Sequence, residues 1–329
     1  MASFNYQQLR ADATDSLAGC GKAATMLVLL HAGVSLGINL VITAINYVLD
    51  LGIAQTGGLG GMDVRTTLET IQTLLTYVQT LALPFWEMGY VFVVLRLSRR
   101  EQAEKRDLLA GFRWFGPVLR GRILTGIIYF VLMMVGAQAG SLLFMLTPAA
   151  KEMLSFDMAA LEEDLLALME NEAYMQAMMP AMPFVLIGML LPVIPVYYRL
   201  RMMDYVLMDE PQFGALYALL KSIHMTRRQC WALFKLDLRF WWFYLLQLLT
   251  LALWYGDIWL PMLGVDLGMS AEGAMYLFYG LALLAELALY VWKRNQVCVT
   301  YAMVYDELSQ QEVPAPKPEP QPKNMPWSY

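Results

Sequence analysis

The chain alternates long apolar runs with short polar, charge-rich stretches. A helix needs about 20 mostly apolar residues to cross about 30 Å of hydrocarbon. Six runs are read as spans: 23–49, 68–97, 118–146, 183–198, 240–255 and 274–292. The pattern predicts an all-α fold, a polytopic membrane bundle of six transmembrane helices. Residues 1–311 form one helical domain in this reading, and 312–329 form a tail.

Shorter amphipathic pieces fall between the runs. Leu154, Met158, Leu161, Leu165 and Leu168 recur at helical spacing, with Glu152, Glu163 and Glu170 on the opposite face. This predicts an interfacial helix on the outer side. Its polar face is acidic, so it suits the bundle's own surface better than anionic lipid. Interfacial pieces are also expected on the inner side, at Phe4–Leu17, Asp107–Arg122 and Phe213–Met225. Gly57–Met62 reads as a flexible turn. The tail, Glu312–Tyr329, is Pro-rich and is expected to be extended and disordered. It serves either as a plain flexible tail or as a ligand for a polyproline-reading partner.

Composition agrees with a membrane chain: 58% hydrophobic, 16% charged, mean hydropathy +0.47. Soluble domains are nearer half apolar and a quarter charged. Charge then sets orientation. Of 23 Lys and Arg residues, 21 fall in the N-terminal stretch, the second and fourth loops and the C-terminal stretch. The other three loops hold only Arg65 and Lys151. Cytoplasmic loops carry the basic excess. Both termini are therefore expected in the cytoplasm of a multi-pass plasma-membrane protein, with an even number of spans. The polar N-terminus shows no cleavable signal, so the first run is expected to be retained.

Cys20, Cys230 and Cys298 all fall on the predicted cytoplasmic side, where thiols stay reduced. With His31 and His224 they give no zinc spacing and no disulfide framework. No metal or cofactor is predicted. No phosphate loop, nucleophile elbow, paired-histidine zinc motif or dinucleotide loop is present, so no catalytic residue is nominated. Arg113-Trp114-Phe115 mixes Arg with aromatics, which fits a membrane interface rather than nucleic acid. Asp204 with Asp209-Glu210 reads as a solvated interfacial run rather than a metal site.

Three ionisable groups lie inside predicted spans: His31, Glu87 and Glu286. An unpaired charge there costs about 2.5–3.5 kcal/mol or more. At 1.5 Å per residue from the nearest inner Lys or Arg, all three lie roughly 10–14 Å deep. Two readings stand. The layer relays a proton or binds a cationic group. Or it is a hydrogen-bonded polar plug, with a glutamate held by an arginine such as Arg96 or Arg294. Pro84, three residues before Glu87, and Pro192 and Pro195 in the fourth run are expected kinks. Prolines also occur in the broken helices that line transporter sites.

One stretch carries a resemblance. Asp209-Glu210-Pro211, Ala218-Leu219, Ser222, Leu233-Phe234-Lys235-Leu236-Asp237-Leu238 and Phe240-Trp241-Trp242 follow one another between the fourth and fifth runs. Leu9-Arg10, Ala13, Leu17 and Gly21 precede the first run, and Leu191-Pro192-Val193-Ile194 with Tyr197 closes the fourth. Together they resemble an uncharacterised bacterial integral membrane family, the DUF975-like group. Two departures are visible: Val193 stands where the family has Gly, and Arg227-Arg228-Gln229 replaces its Gly-Lys. The resemblance implies a multi-spanning bacterial membrane protein, with Asp209, Pro211, Ser222, Phe234, Asp237 and Trp241 as its inner motif. It implies no activity. The expected partners are the lipid bilayer and a membrane protein, with the oligomeric state left open. The expected function is that of an accessory or scaffold protein. The alternative is a small-molecule or lipid transporter using the His31, Glu87 and Glu286 layer.

Overall fold

The computed structural model describes residues 6–55, 62–148, 150, 179–256, 259–260, 268 and 271–311. The outer acidic helix, the Pro-rich tail and almost all of the Gly57–Met62 turn lie outside the described residues. Nearly all of those described are helical, with no strand among them.

Helix α1 runs Tyr6–Gln55 and bends at Gly21, whose φ of 26° and ψ of −106° are not helical. A residue without a Cβ accepts that geometry. The bend divides the N-terminal stretch of α1 from the long apolar part. Helix α2, Met62–Ser98, returns beside it. A 3₁₀ turn (Lys105–Leu109) and the short α3 (Ala110–Arg113) follow, then α4, Phe115–Met145. Helix α5 runs Ala181–Leu200 and α6 runs Met203–Asp209. A 3₁₀ turn at Pro211–Phe213 leads to α7 (Gly214–Thr226) and α8 (Cys230–Arg239). Helix α9 runs Trp241–Trp254 and α10 runs Ala271–Leu289. A π turn, Tyr290–Arg294, joins α10 to α11, Asn295–Gln311.

The apolar helices stand in three pairs: α1 with α2, α4 with α5, and α9 with α10. Contacts between different pairs are sparse beside those within them. The buried core lies mainly in one layer at one end of the three pairs, called the inner layer after the expected orientation. There the last turns of α2 pack with α6, α7, α8 and α11 around Met88, Leu97, Met202, Leu207, Leu233 and Tyr305. Apolar side chains farther out, such as Leu74, Ile127, Leu142, Leu186 and Leu248, are exposed. In lipid such exposure carries no hydrophobic penalty, since the acyl tails are as apolar as Leu.

Among the described residues, four helices are long and apolar enough to cross a membrane. The count is five if α8 and α9 form one span bent by 68°. The fifth and sixth expected spans are thus shorter than their apolar runs. Helix α9 has 14 residues, and its run is cut at Phe240, where the bend to α8 falls. The sixth run gives a 17-residue apolar helix, Gly273–Leu289, ahead of the π turn.

Helices α2 and α5 continue unbroken through Pro84, Pro192 and Pro195. On α5 the Pro192 ring packs toward Gly136 of α4. A Cβ on Gly136 would sit 2.2 Å from the Gly188 carbonyl oxygen, and one on Gly140 would sit 2.3 Å from that of Phe184. Gly136-x-x-x-Gly140 therefore lets the α4 and α5 backbones touch. This is the small-residue solution to helix packing in lipid, where close approach replaces the hydrophobic drive.

Candidate functional site: a polar layer and an inner clamp

His31 comes from α1, and it is fully buried. Its ring stacks on Tyr90 at 4.5 Å, Trp86 at 5.6 Å and Tyr290 at 6.2 Å. The Trp86 indole N–H donates to the His31 carbonyl at 3.1 Å, fixing α1 to α2. Nε2 of His31 lies 3.6 Å from Oε1 of Glu87. That is an ion-pair distance and too long for a hydrogen bond. Neither ring nitrogen has a protein hydrogen bond.

Glu87 accepts from Arg294 at 2.6 Å, so its strong partner is that arginine. Arg294 lies 3.9 Å over the Tyr290 ring and 5.1 Å over Tyr90. Tyr90 in turn donates to Asn295 at 2.7 Å. The π turn explains how Arg294 comes to face inward. Two α-helical steps of four residues carry a side chain about 40° past a full turn each time. A wider π turn holds that rotation back. Glu286, Tyr290 and Arg294 thus stay on one face, and all three line one cavity.

Glu286 makes no ion pair with His31 or Glu87 among the described residues. It belongs to the layer through the cavity that it lines together with Tyr290 and Arg294. The cavity it lines has a volume of about 180 Å³ and lies between α9 and the end of α10. Phe243, Gln247, Thr250 and Trp254 form its α9 wall. Of the three predicted residues, His31 and Glu87 are neighbours, and Glu286 joins them through Arg294 and Tyr290.

The residues of the inner motif do a different job. Asp209 takes a two-pronged hydrogen bond from Arg99 at 2.7 and 3.0 Å and a third from Tyr305 at 2.8 Å. Arg99 also reaches Asp306 at 2.8 Å. One guanidinium thereby ties α2 to α6 and α11. Burial, then the Asp209 carboxylate, hold the Tyr305 phenol well above its usual range. Asp237 accepts from Tyr244 at 2.7 Å, from Arg201 at 3.3 Å and from the Tyr301 hydroxyl. Arg201 sits between the Tyr197 and Tyr301 rings, at 4.8 and 4.3 Å. Ser222 donates to the Arg199 carbonyl at 2.8 Å, and Thr226 to the same oxygen at 3.0 Å. They satisfy a carbonyl left over where α5 ends. Pro211 is buried at the start of its 3₁₀ turn. Phe234 stacks on Trp231 at 5.1 Å. Trp241 opens α9, largely exposed, at the 68° bend. Asp204 pairs with Arg122 at 3.2 Å.

The sequence offered Arg294 as a partner for one of the glutamates, as found, and gave no notice of Tyr90, Tyr290, Arg99 and Tyr305. The spacing Glu286, Tyr290, Arg294 was the visible signal for the first group. Arg99 and Tyr305 carry no local signal, because their partners lie more than 90 residues away.

The comparisons with known proteins come down to the family. No curated protein and no solved structure matches the chain. The model of a family described as "Protein of unknown function (DUF975)" matches residues 1–310, and the chain belongs to that family.

Proposed function

We propose that this is a bacterial plasma-membrane protein with six spans, interfacial amphipathic helices and cytoplasmic termini, acting as an accessory or scaffold protein for a membrane partner or lipid. One observation carries this reading. The charged residues of the inner motif are spent on internal clamps, Asp209 on Arg99 and Asp237 on Arg201, while the apolar pairs above them expose long faces. A rigid inner base under separate hairpins is suited to holding something between or beside them. The test is purification in mild detergent or nanodiscs, with mass spectrometry of what accompanies the protein. A stoichiometric protein or lipid, still retained by Glu87→Gln and Glu286→Gln, is expected. A lone protein would sink the reading.

A second reading, a permease, has its own observation: a buried histidine without a protein hydrogen bond, 3.6 Å from Glu87. It requires that Gln at Glu87 or Glu286 leave the protein folded and abolish solute flux in proteoliposomes.

A further inference from the structure

We infer that the cavity between α9 and α10 is a binding site for a small organic ammonium group, with the Glu286 carboxylate as its counter-ion. The inference stands apart from the scaffold reading and concerns a ligand, not a partner.

The charge balance of the layer comes first. Glu87 and Arg294 are a close pair at 2.6 Å, and they neutralise each other. Lys293, next in the chain, reaches Gln296 at 3.2 Å on the α11 side. Glu286 is then the layer's second carboxylate, sharing the cavity with neutral Tyr290 and with an arginine already engaged by Glu87. A carboxylate at membrane depth is costly without a full counter-charge. An anionic ligand would meet Glu286 itself and an arginine already paired, so the cavity selects for positive charge.

The walls come second. Trp254 and Phe243 bring two aromatic rings to one small space, beside Tyr290, whose ring Arg294 already covers. Trp254 is held edge-on to Tyr279 at 4.7 Å, and the Tyr279 hydroxyl bonds Thr43 at 2.8 Å. That wall is thereby braced against α1. Aromatic faces attract cations, most strongly when the ion is weakly hydrated, as organic ammonium ions are. Gln247 and Thr250 add neutral oxygens. The size, about 180 Å³, suits a compact head. An engineered cavity of about 150 Å³ takes up benzene, which sets the scale. A choline-sized ammonium fits, whereas a large amphiphile enters only by its head.

The probe is choline, with its uncharged carbon isostere as control. Binding is measured on the full-length protein in phosphatidylglycerol nanodiscs. Saturable choline binding is expected, with the isostere at least about tenfold weaker. Glu286→Gln should weaken choline by at least about tenfold at an unchanged melting temperature, and Trp254→Leu by several-fold. Should Glu286→Gln fail to fold, Trp254→Leu and the isostere still decide the matter. Equal affinity for choline and isostere would mark a plain apolar hole and overturn the proposal. So would equal binding by wild type and Glu286→Gln, or no saturable binding. Adding phosphatidylcholine to the nanodiscs separates two sources of the group. Competition with free choline would identify a lipid headgroup as the occupant, and its absence a free amine.

Discussion

Arg294 is the side chain on which the polar layer turns. It cancels Glu87, covers two tyrosine faces and lines the Glu286 cavity. Removing one partner of such a pair leaves the other charge uncompensated, which costs more than the pair contributes. Glu87 keeps 36% of its side-chain surface exposed, so the low end of the range applies. Arg294→Ala should cost about 3 kcal/mol, read from unfolding in detergent, and adding Glu87→Gln should recover part of it. If the double variant is no better than the single, the pair is not what Arg294 supports. Arg100 gives a simpler case. Helix α2 ends with Glu101 N–H bonded to the Arg96 carbonyl and Arg100 N–H to that of Leu97. This is the glycine-type helix stop, yet Arg100 occupies its left-handed position at φ 58°. Arg100→Gly should stabilise the protein by about 0.5–1 kcal/mol, the relief of left-handed strain less the entropy glycine loses. Tyr305 sets an alkaline limit. Its phenol is held above the usual value of about 10. The protonated form is favoured by folding, so this contribution is complete below about pH 10 and fades as pH rises further. Tyr305→Phe should melt lower at neutral pH but lose less stability above pH ~10.

Helix α4 meets α5 through glycines, and this contact gives the sharpest packing test. A Cβ at Gly188 would lie 2.3 Å from the Gly136 carbonyl oxygen, which is backbone and cannot step aside. Gly188→Ala should therefore cost about 1–3 kcal/mol, the usual range for overpacking. Gly126, on the same α4, has nothing within 4 Å of its Cβ position. Gly126→Ala should be neutral or gain about 0.5–1 kcal/mol from helix propensity. A loss at Gly188 on α5 and no loss at Gly126 on α4 is the expected result, and equal effects would mean the two helices are not in close contact. The glycine spacing 136–140 was present in the sequence, and so were the apolar runs and the three isolated ionisable groups. Those features are local, since hydrocarbon forces an uninterrupted apolar run and makes every charge conspicuous. The shortening of the fifth run to α9 was less legible, because Phe240 and its neighbours are apolar on both sides of the bend. The inward turn of Arg294 depends on one π turn, which no apolar count registers. The clamps on Asp209 and Asp237 depend on α11 folding back beside α2, α6 and α8, a purely tertiary matter.

The whole molecule combines a dense inner layer with three helical pairs that meet one another sparsely. The third pair is the part of the topology that a labelling experiment tests most sharply. Helix α9 alone is about 21 Å long at 1.5 Å per residue, short of the roughly 30 Å hydrocarbon layer. The six-span proposal has the chain cross and return all the same, on the strength of the charge pattern. Arg201, Arg227, Arg228, Lys235 and Arg239 precede α9, while Lys293 and Arg294 follow α10, so basic residues flank the pair at its two inner ends. A thin local bilayer or a tilted α8 accommodates the short helix at modest cost. Single cysteines in a background where Cys20, Cys230 and Cys298 are Ala provide the test. An impermeant maleimide on intact cells should label Val64→Cys at the outer end of α2. It should reach Gln7→Cys and Gln311→Cys only after permeabilisation. Protection of both ends together is what an even span count requires. Labelling of Gln311→Cys alone would mean that α8 and α9 dip in and return, that five helices cross, and that the C-terminal helix α11 lies outside.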